Sequence, residues 1–448
     1  MTTSHRRRLI WFCQTESVAA QPDTLARLRD RIGLTTIMPE SPVSHTSGFS
    51  SSAELAARGP FEDWREREHL WPRGRDGIFP PVAGIVGGFD DTPLRRLLDT
   101  CARLDIEVWG HLGLWSYGGD VFPELAMRDI YGRALDPRYG RWGTGLCPNR
   151  PEIVEWVHDG LREAIARYGL SSFCVDHARY PAPANLHSLL GCGCPHCAGA
   201  ASGLGYDADS IHARLHRWRQ ESGRLKYRRL RALLASRASL GEFLYWLGAD
   251  DVVIEWLRCR AALLAARMRE CRDVVRQAAG PEAVFGSDVF APSIALLGGQ
   301  QLNQWEQSTD FLTGGSSYGG VVGWASGVTH LAGEGAPALC SLVPGLEERE
   351  ALQLIYRLFG YDDLDLPDTL EGLSNQALPV EAIYAREIQR LVAATSGVVP
   401  LYPPVSAQGS LERVESLCRA VADAGCDGAM LGLNPEDEAV LDVIAGTW

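Results

Sequence analysis

Leu9-Ile10-Trp11-Phe12-Cys13 is an unbroken apolar run near the start of the chain, and Leu34 to Met38 is a second. Between them Leu25, Leu28 and Ile32 recur at helical spacing from Asp23 onward, and Gly33 ends the helix. A strand with one face in water alternates apolar and polar residues, whereas an unbroken apolar run needs cover on both faces. Two such strands joined through one helix by short connections read as a parallel β-α-β unit. The opening of the chain therefore predicts a parallel sheet with helices packed against it.

The same unit recurs. Thr92 to Leu104 predicts a helix with Leu94, Leu97, Leu98 and Leu104 on one face, and Ile106 to His111 a third strand. A helix from Pro151 to Tyr168 precedes a fourth strand, Phe173-Cys174-Val175. Ala283 to Asp288 reads as a fifth strand and Asp310-Phe311-Leu312 as a shorter sixth. Val398 to Tyr402 and Gly428 to Leu433 are the seventh and eighth, with helices over 346–359, 380–394 and 411–424. The fold class expected is α/β, a (β/α)8 barrel, and the 448 residues fit it as a single domain over 1–448 with insertions.

There are two such insertions. Residues 41–79 form a long rim loop after the second strand, rich in Ser, Gly, Arg and Glu and carrying His45, Trp64, His69 and Trp71. Residues 207–279 read as almost wholly helical, too long for one crossover, after the fourth strand. They suggest a helical excursion or a dimerisation arm, and so a route to a homo-oligomer.

Formal charge is −13 at pH 7, which argues against nucleic acid or an anionic membrane as the main partner and suits a neutral substrate such as a sugar. No stretch reads as a membrane span. The apolar run after the three N-terminal arginines is too short for the core of a signal peptide. The expected location is therefore cytoplasmic, and the twelve cysteines read as thiols or metal ligands rather than disulfides.

Several strands end in a polar group: Glu40, His111, Asp176, Asp288 and Asp310. In a barrel these would converge on the rim at the carboxyl ends of the strands. Cleaving a glycosidic bond requires two carboxyl groups flanking it, one to protonate the leaving oxygen and one to act as nucleophile or to activate water. Asp176 directly follows a wholly apolar strand, and Arg179 is near enough in sequence to keep it ionised. It is the expected nucleophile or cation-stabilising carboxylate. Asp288 and Asp310 compete for the acid, which needs a raised pKa. His111, Trp115, Arg179, Glu40, Trp71 and Tyr318 are the candidate substrate contacts. The alternative for Asp176 and Arg179 is an ion pair that ties the fourth strand to its loop.

Cys192-Gly193-Cys194-Pro195-His196-Cys197 carries three thiols in a C-x-C-x-x-C spacing that can wrap one zinc ion, with Gly and Pro permitting the tight turn. Cys147 on the preceding rim loop is the best fourth ligand, and His196 is the local alternative. Four thiolates would close the coordination shell and make the ion structural. Free thiols, or a redox pair at Cys194 and Cys197, are the competing readings.

Leu146-Cys147-Pro148-Asn149, a helix, Cys174-Val175-Asp176-His177-Ala178-Arg179-Tyr180-Pro181 and then the cysteine cluster resemble hypothetical glycosyl hydrolases of TIM-barrel type. The cysteine cluster is also similar to the zinc site of family 42 β-galactosidases. The likeness is clearest from Ile106 to Cys197. Family 42 enzymes carry Asn-Glu at the end of strand four, where this chain has Asp176-His177, so their acid/base residue does not carry over. Asp176 resembles instead the strand-four nucleophile of α-amylase-like barrels, although the nearby Arg lies on the other side of the Asp. The resemblance implies a glycoside hydrolase acting on a carbohydrate, with structural zinc and no organic cofactor. A non-catalytic carbohydrate-binding or scaffold protein on the same barrel is the alternative. A metal-dependent hydrolase would need a His-x-His pair on strand one, which this chain lacks.

Overall fold

The computed structural model describes residues 7–13, 15–19, 21–39, 92–115, 119, 123–135, 145–176, 178–181, 189–222, 227–236, 251–314, 332–333, 335–341, 343–375, 378–395, 397–407 and 409–448. Glu40, Trp71, Tyr318 and the whole 41–79 loop lie outside the described residues.

The described residues contain ten strand segments, most of them separated by helices. They are β1 (Arg8–Cys13), β2 (Thr36–Pro39), β3 (Glu107–Val108), β4 (Gly110–Gly113), β5 (Ser172–Asp176), β6 (Val284–Val289), β7 (Leu312–Gly314), β8 (Leu401–Tyr402), β9 (Pro404–Ala407) and β10 (Gly428–Leu433). Every pairing between them is parallel. They form two five-stranded sheets, β3-β2-β1-β10-β9 and β4-β5-β6-β7-β8. Trp109 alone separates β3 from β4, and Pro403 alone separates β8 from β9. Main-chain bonds bind both linking residues to the first sheet: the Trp109 N–H donates to the Ile37 carbonyl at 2.9 Å, and the Met430 N–H to the Pro403 carbonyl at 3.0 Å.

Two apolar cores reflect this geometry. The larger lies between strands and helices and takes residues such as Leu9, Trp11, Phe173 and Val175. The smaller gathers Ile10, Met38 and Met430 from one sheet, Cys174 and Tyr402 from the other, and Trp109 and Phe311 beside them. Neighbours along one strand, such as Cys174 and Val175, thus serve opposite faces, as the period-2 pleat requires. The Trp109 and Phe311 rings stack at 4.0 Å. Gly286 makes room for that stack, because a Cβ there would meet the Phe311 ring at 2.1 Å.

Helix Pro22–Ile32 ends as expected at Gly33, whose left-handed φ of 72° lets its own N–H reach the Arg29 carbonyl and the Leu34 N–H that of Leu28. Helices Ala208–Ser222, Tyr227–Ser236 and Val252–Ala279 account for much of the predicted helical stretch. The last of these packs on helix Pro151–Tyr168 and on β6, so it is the crossover into β6. Among the described residues no helix is long and apolar enough to cross a membrane.

One strand was expected in the wrong register. Asp310 precedes β7 instead of ending it, because the strand begins at Leu312 and runs through Thr313 and Gly314.

Candidate active site and thiol centre

Asp176 is the last residue of β5 and Asp288 the fifth of six in β6. The two strands run with Val175 opposite Ser287, so the next residues along, Asp176 and Asp288, stand side by side at the carboxyl ends. Asp176 also faces Gly113 across β4, and Asp288 faces Thr313 across β7. Gly113 has no side chain and Thr313 a short one, so neither crowds the pair.

The pair is electrostatically strained. Burial pushes the Asp288 carboxyl well above the usual carboxylate range, and the adjacent Asp176 charge pushes it further. The Asp288 Oδ1 is buried with no hydrogen-bond partner among the described residues. Beneath the acids, the Cys174 Sγ lies 3.2 Å from the Thr313 Oγ1, and burial raises that thiol well above its ordinary range. A carboxyl whose pKa is raised beside a second carboxyl is an arrangement in which an acid and a carboxylate can divide their roles.

His111 is aligned with Cys174 across β4 and β5, one layer below the acids. It is 2% exposed and meets the Phe12 ring edge-on at 5.3 Å. Burial lowers its pKa to about 4, so it is neutral at physiological pH, and its Nδ1 has no partner among the described residues. Arg179 is buried, donates to the Tyr180 carbonyl at 3.3 Å and lies over the Phe290 ring.

Two expected site residues lie elsewhere. Trp115 is buried in the large core, so it presents no open face on which a sugar could stack. Asp310 sits near the amino ends of β6 and β7. Its carboxylate takes the Phe285 N–H at 3.0 Å and pairs with Arg276 at 2.7 Å and Arg272 at 3.7 Å. The structure therefore brings Asp288 to Asp176 and leaves Asp310 at the other end of the strands.

The thiol cluster assembles from two loops. Cys147, Cys192, Cys194 and Cys197 are all buried, with their sulfurs within 4.8 Å of one another. Cys147 Sγ lies 3.4 Å from Cys194 Sγ and 3.6 Å from Cys197 Sγ. Zn–S bonds of about 2.3 Å in a tetrahedron place sulfurs roughly 3.8 Å apart, so the four fit one ion. Main-chain N–H groups of Arg128 and Cys197 point at the sulfurs of Cys192 and Cys194, at 3.1 and 3.4 Å. Such donors favour thiolates over thiols. Hydrogen bonds from the other three thiols hold Cys194 well below the ordinary thiol range, while hydrogen bonds with Cys192, Cys194 and Cys197 push Cys147 well above it. Gly193 is required sterically, because a Cβ there would lie 2.5 Å from the Asp129 carbonyl oxygen.

Around the thiols lies a shell that sequence reading missed. The Asn149 amide donates to Cys197 Sγ at 3.3 Å and to the Tyr180 hydroxyl at 3.1 Å. Arg260 is fully buried over the Tyr180 ring and donates to the carbonyls of Leu189, Gly191 and Leu297. Burial lowers its pKa only to about 10, so it keeps its charge beside the sulfurs. The signal available in the sequence was the Asn149 that follows Cys147-Pro148; Arg260 looks like any helical arginine.

No protein-family model and no curated protein matches the chain. Solved structures do. The glycoside hydrolase domain of PgaB (BpsB) from Bordetella bronchiseptica aligns at 11% identity and TM-score 0.50, over 98% of each chain. A β-galactosidase from the psychrophilic Marinomonas ef1 aligns at 12% identity and TM-score 0.50, over 98% of this chain and 59% of its own. The β-galactosidase of Rahnella sp. R3 aligns at 11% and 0.50, over 100% of this chain and 56% of its own. The chain thus spans a little over half the length of those β-galactosidases. At these identities the likeness is one of fold: the chain has a glycoside hydrolase-like α/β fold.

Proposed function

We propose that the protein is a retaining glycoside hydrolase acting at the carboxyl ends of β5 and β6. The reading rests on one observation above all, the matched register that sets Asp176 beside Asp288. Neighbouring strands are about 4.8 Å apart. Carboxyl groups about 5–5.5 Å apart suit a double displacement, whereas inversion needs roughly 6.5–9.5 Å to admit a water. Asp288, held protonated, gives its proton to the leaving oxygen while Asp176 attacks the anomeric carbon. Asp288, now a carboxylate, then takes a proton from the water that releases the sugar from Asp176.

The two sheets are proposed to be halves of one (β/α)8 barrel, with β3 and β4 a single strand and β8 and β9 another. The one-residue breaks at Trp109 and Pro403, and the small core that takes side chains from both sheets, support closure. The four cysteines are proposed to hold a structural zinc ion that pins the loops around the rim; it takes no part in the chemistry. A panel of aryl glycosides tests the activity, with the product anomer read by NMR. Retention, lost in Asp176→Asn, is expected; inversion, or full turnover by that variant, would overturn the assignment.

A further inference from the structure

Gln300 is a buried polar side chain, 2% exposed, that reaches the loops beyond both acid-bearing strands at once. Its Oε1 accepts the Phe290 N–H at 2.8 Å, and its Nε2 donates to the Ala178 carbonyl at 3.1 Å. Phe290 is two residues beyond Asp288, and Ala178 two residues beyond Asp176. The segment that carries Gln300 is wedged between the same loops. The Tyr180 N–H donates to the Gly298 carbonyl at 2.9 Å, and the Gln300 N–H to the Ala295 carbonyl at 2.9 Å. A Cβ on Gly298 would lie 3.1 Å from the Phe290 ring, and one on Gly299, at φ +88°, would lie 2.9 Å from the Tyr180 ring.

We propose that Gln300 is a positioning residue that fixes the separation of the Asp176 and Asp288 carboxyl groups by clamping the backbone just beyond each. The amide carries an acceptor and a donor side by side, and each is matched to a main-chain partner. Among the described residues the β5–β6 ladder runs to Val175 and Ser287, and Gln300 ties together the backbone that follows it. The proposal rests on the reading of Asp176 and Asp288 as the reacting pair.

The test compares Gln300→Met, which keeps length and loses both bonds, with Gln300→Glu, which keeps only the acceptor for Phe290. Two readouts are taken on each: kcat and KM on an aryl glycoside, and the titration of the Asp288 carboxyl carbon by NMR, assigned with Asp288→Asn. Among the described residues, Asp176 and the Cys174 thiol are the titratable groups that act on Asp288. A misplacement of about 1 Å can cost about a hundredfold in rate, so Gln300→Met is expected to lose roughly ten- to a hundredfold in kcat with KM little changed. The Asp288 titration should move down toward ordinary carboxylates as the pair loosens, with Gln300→Glu intermediate. A folded variant with lower thermal stability but unchanged kcat, KM and Asp288 titration would show a purely structural role. If the wild type cleaves no glycoside, the titration alone decides: a downward move upholds the clamp although the glycosidase reading fails, and no move overturns it. If Gln300→Met does not fold, Gln300→Glu is judged by the same readouts.

Discussion

Gly314 lies so close to Asp288 that a Cβ built on it would fall 2.0 Å from the carboxyl Oδ1. Its φ of +81° is a conformation in which a side chain is strained in any case. Gly314→Ala is therefore expected to displace Asp288 and to cost about 1–3 kcal/mol of stability. Denaturant unfolding and turnover should fall together. An alanine variant with normal stability and rate would mean that Asp288 is not held where the structure has it.

His111 gives an acid-side signature. Its folded pKa of about 4 lies below the ordinary 6.5, so between these values the unfolded chain holds a proton that the folded chain refuses. Its contribution is complete above pH 6.5 and is lost as pH falls toward 4, by up to about 1.4 kcal/mol per pH unit. His111→Gln should flatten the stability profile in that window relative to wild type, measured by urea unfolding. Parallel profiles would contradict a buried neutral imidazole.

The thiol centre predicts one zinc per chain by elemental analysis of purified protein. Cys147→Ser should abolish binding. Asn149→Ala, which removes a donor to Cys197 Sγ, should weaken it about 10–100-fold in a chelator competition. Full zinc in Cys147→Ser would leave His196 as the fourth ligand and break the four-thiol account.

Asp310→Asn separates the two acid candidates. The side chain holds the Phe285 N–H and two arginines at the amino ends of the strands, so its loss should cost about 1.5–3 kcal/mol of stability. Turnover by the folded variant should match wild type. A rate collapse without a stability change would return Asp310 to the chemistry.

The strands that were legible in the sequence are those whose apolar runs are long. Gly428–Leu433 was found to the residue, and β1, β5 and β6 to within one or two. β7 was misplaced because its three residues, Leu-Thr-Gly, carry little apolar signal beside Phe311-Leu312. β9 was missed because it opens on Pro404, which reads as a turn. Asp176 and the four cysteines stand out in the sequence because a charge after an apolar run and a tight thiol spacing are local patterns. Gln300, Arg260 and Gly314 do not, because each acts on groups brought near only by the fold, mostly main-chain atoms. Trp115 was misjudged for a related reason: an aromatic past a strand end looks the same in sequence whether it faces a ligand or the core.

The proposed division of labour between Asp176 and Asp288 is tested most directly by leaving-group dependence in Asp176→Asn and Asp288→Asn. An acid is needed only where the leaving group is basic. Asp288→Asn should therefore lose about 10²–10⁴-fold on alkyl glycosides and far less on a nitrophenyl glycoside. Asp176→Asn should lose turnover on both. Equal losses for Asp288→Asn on the two substrates, or substantial turnover by Asp176→Asn, would contradict the pair as acid and nucleophile.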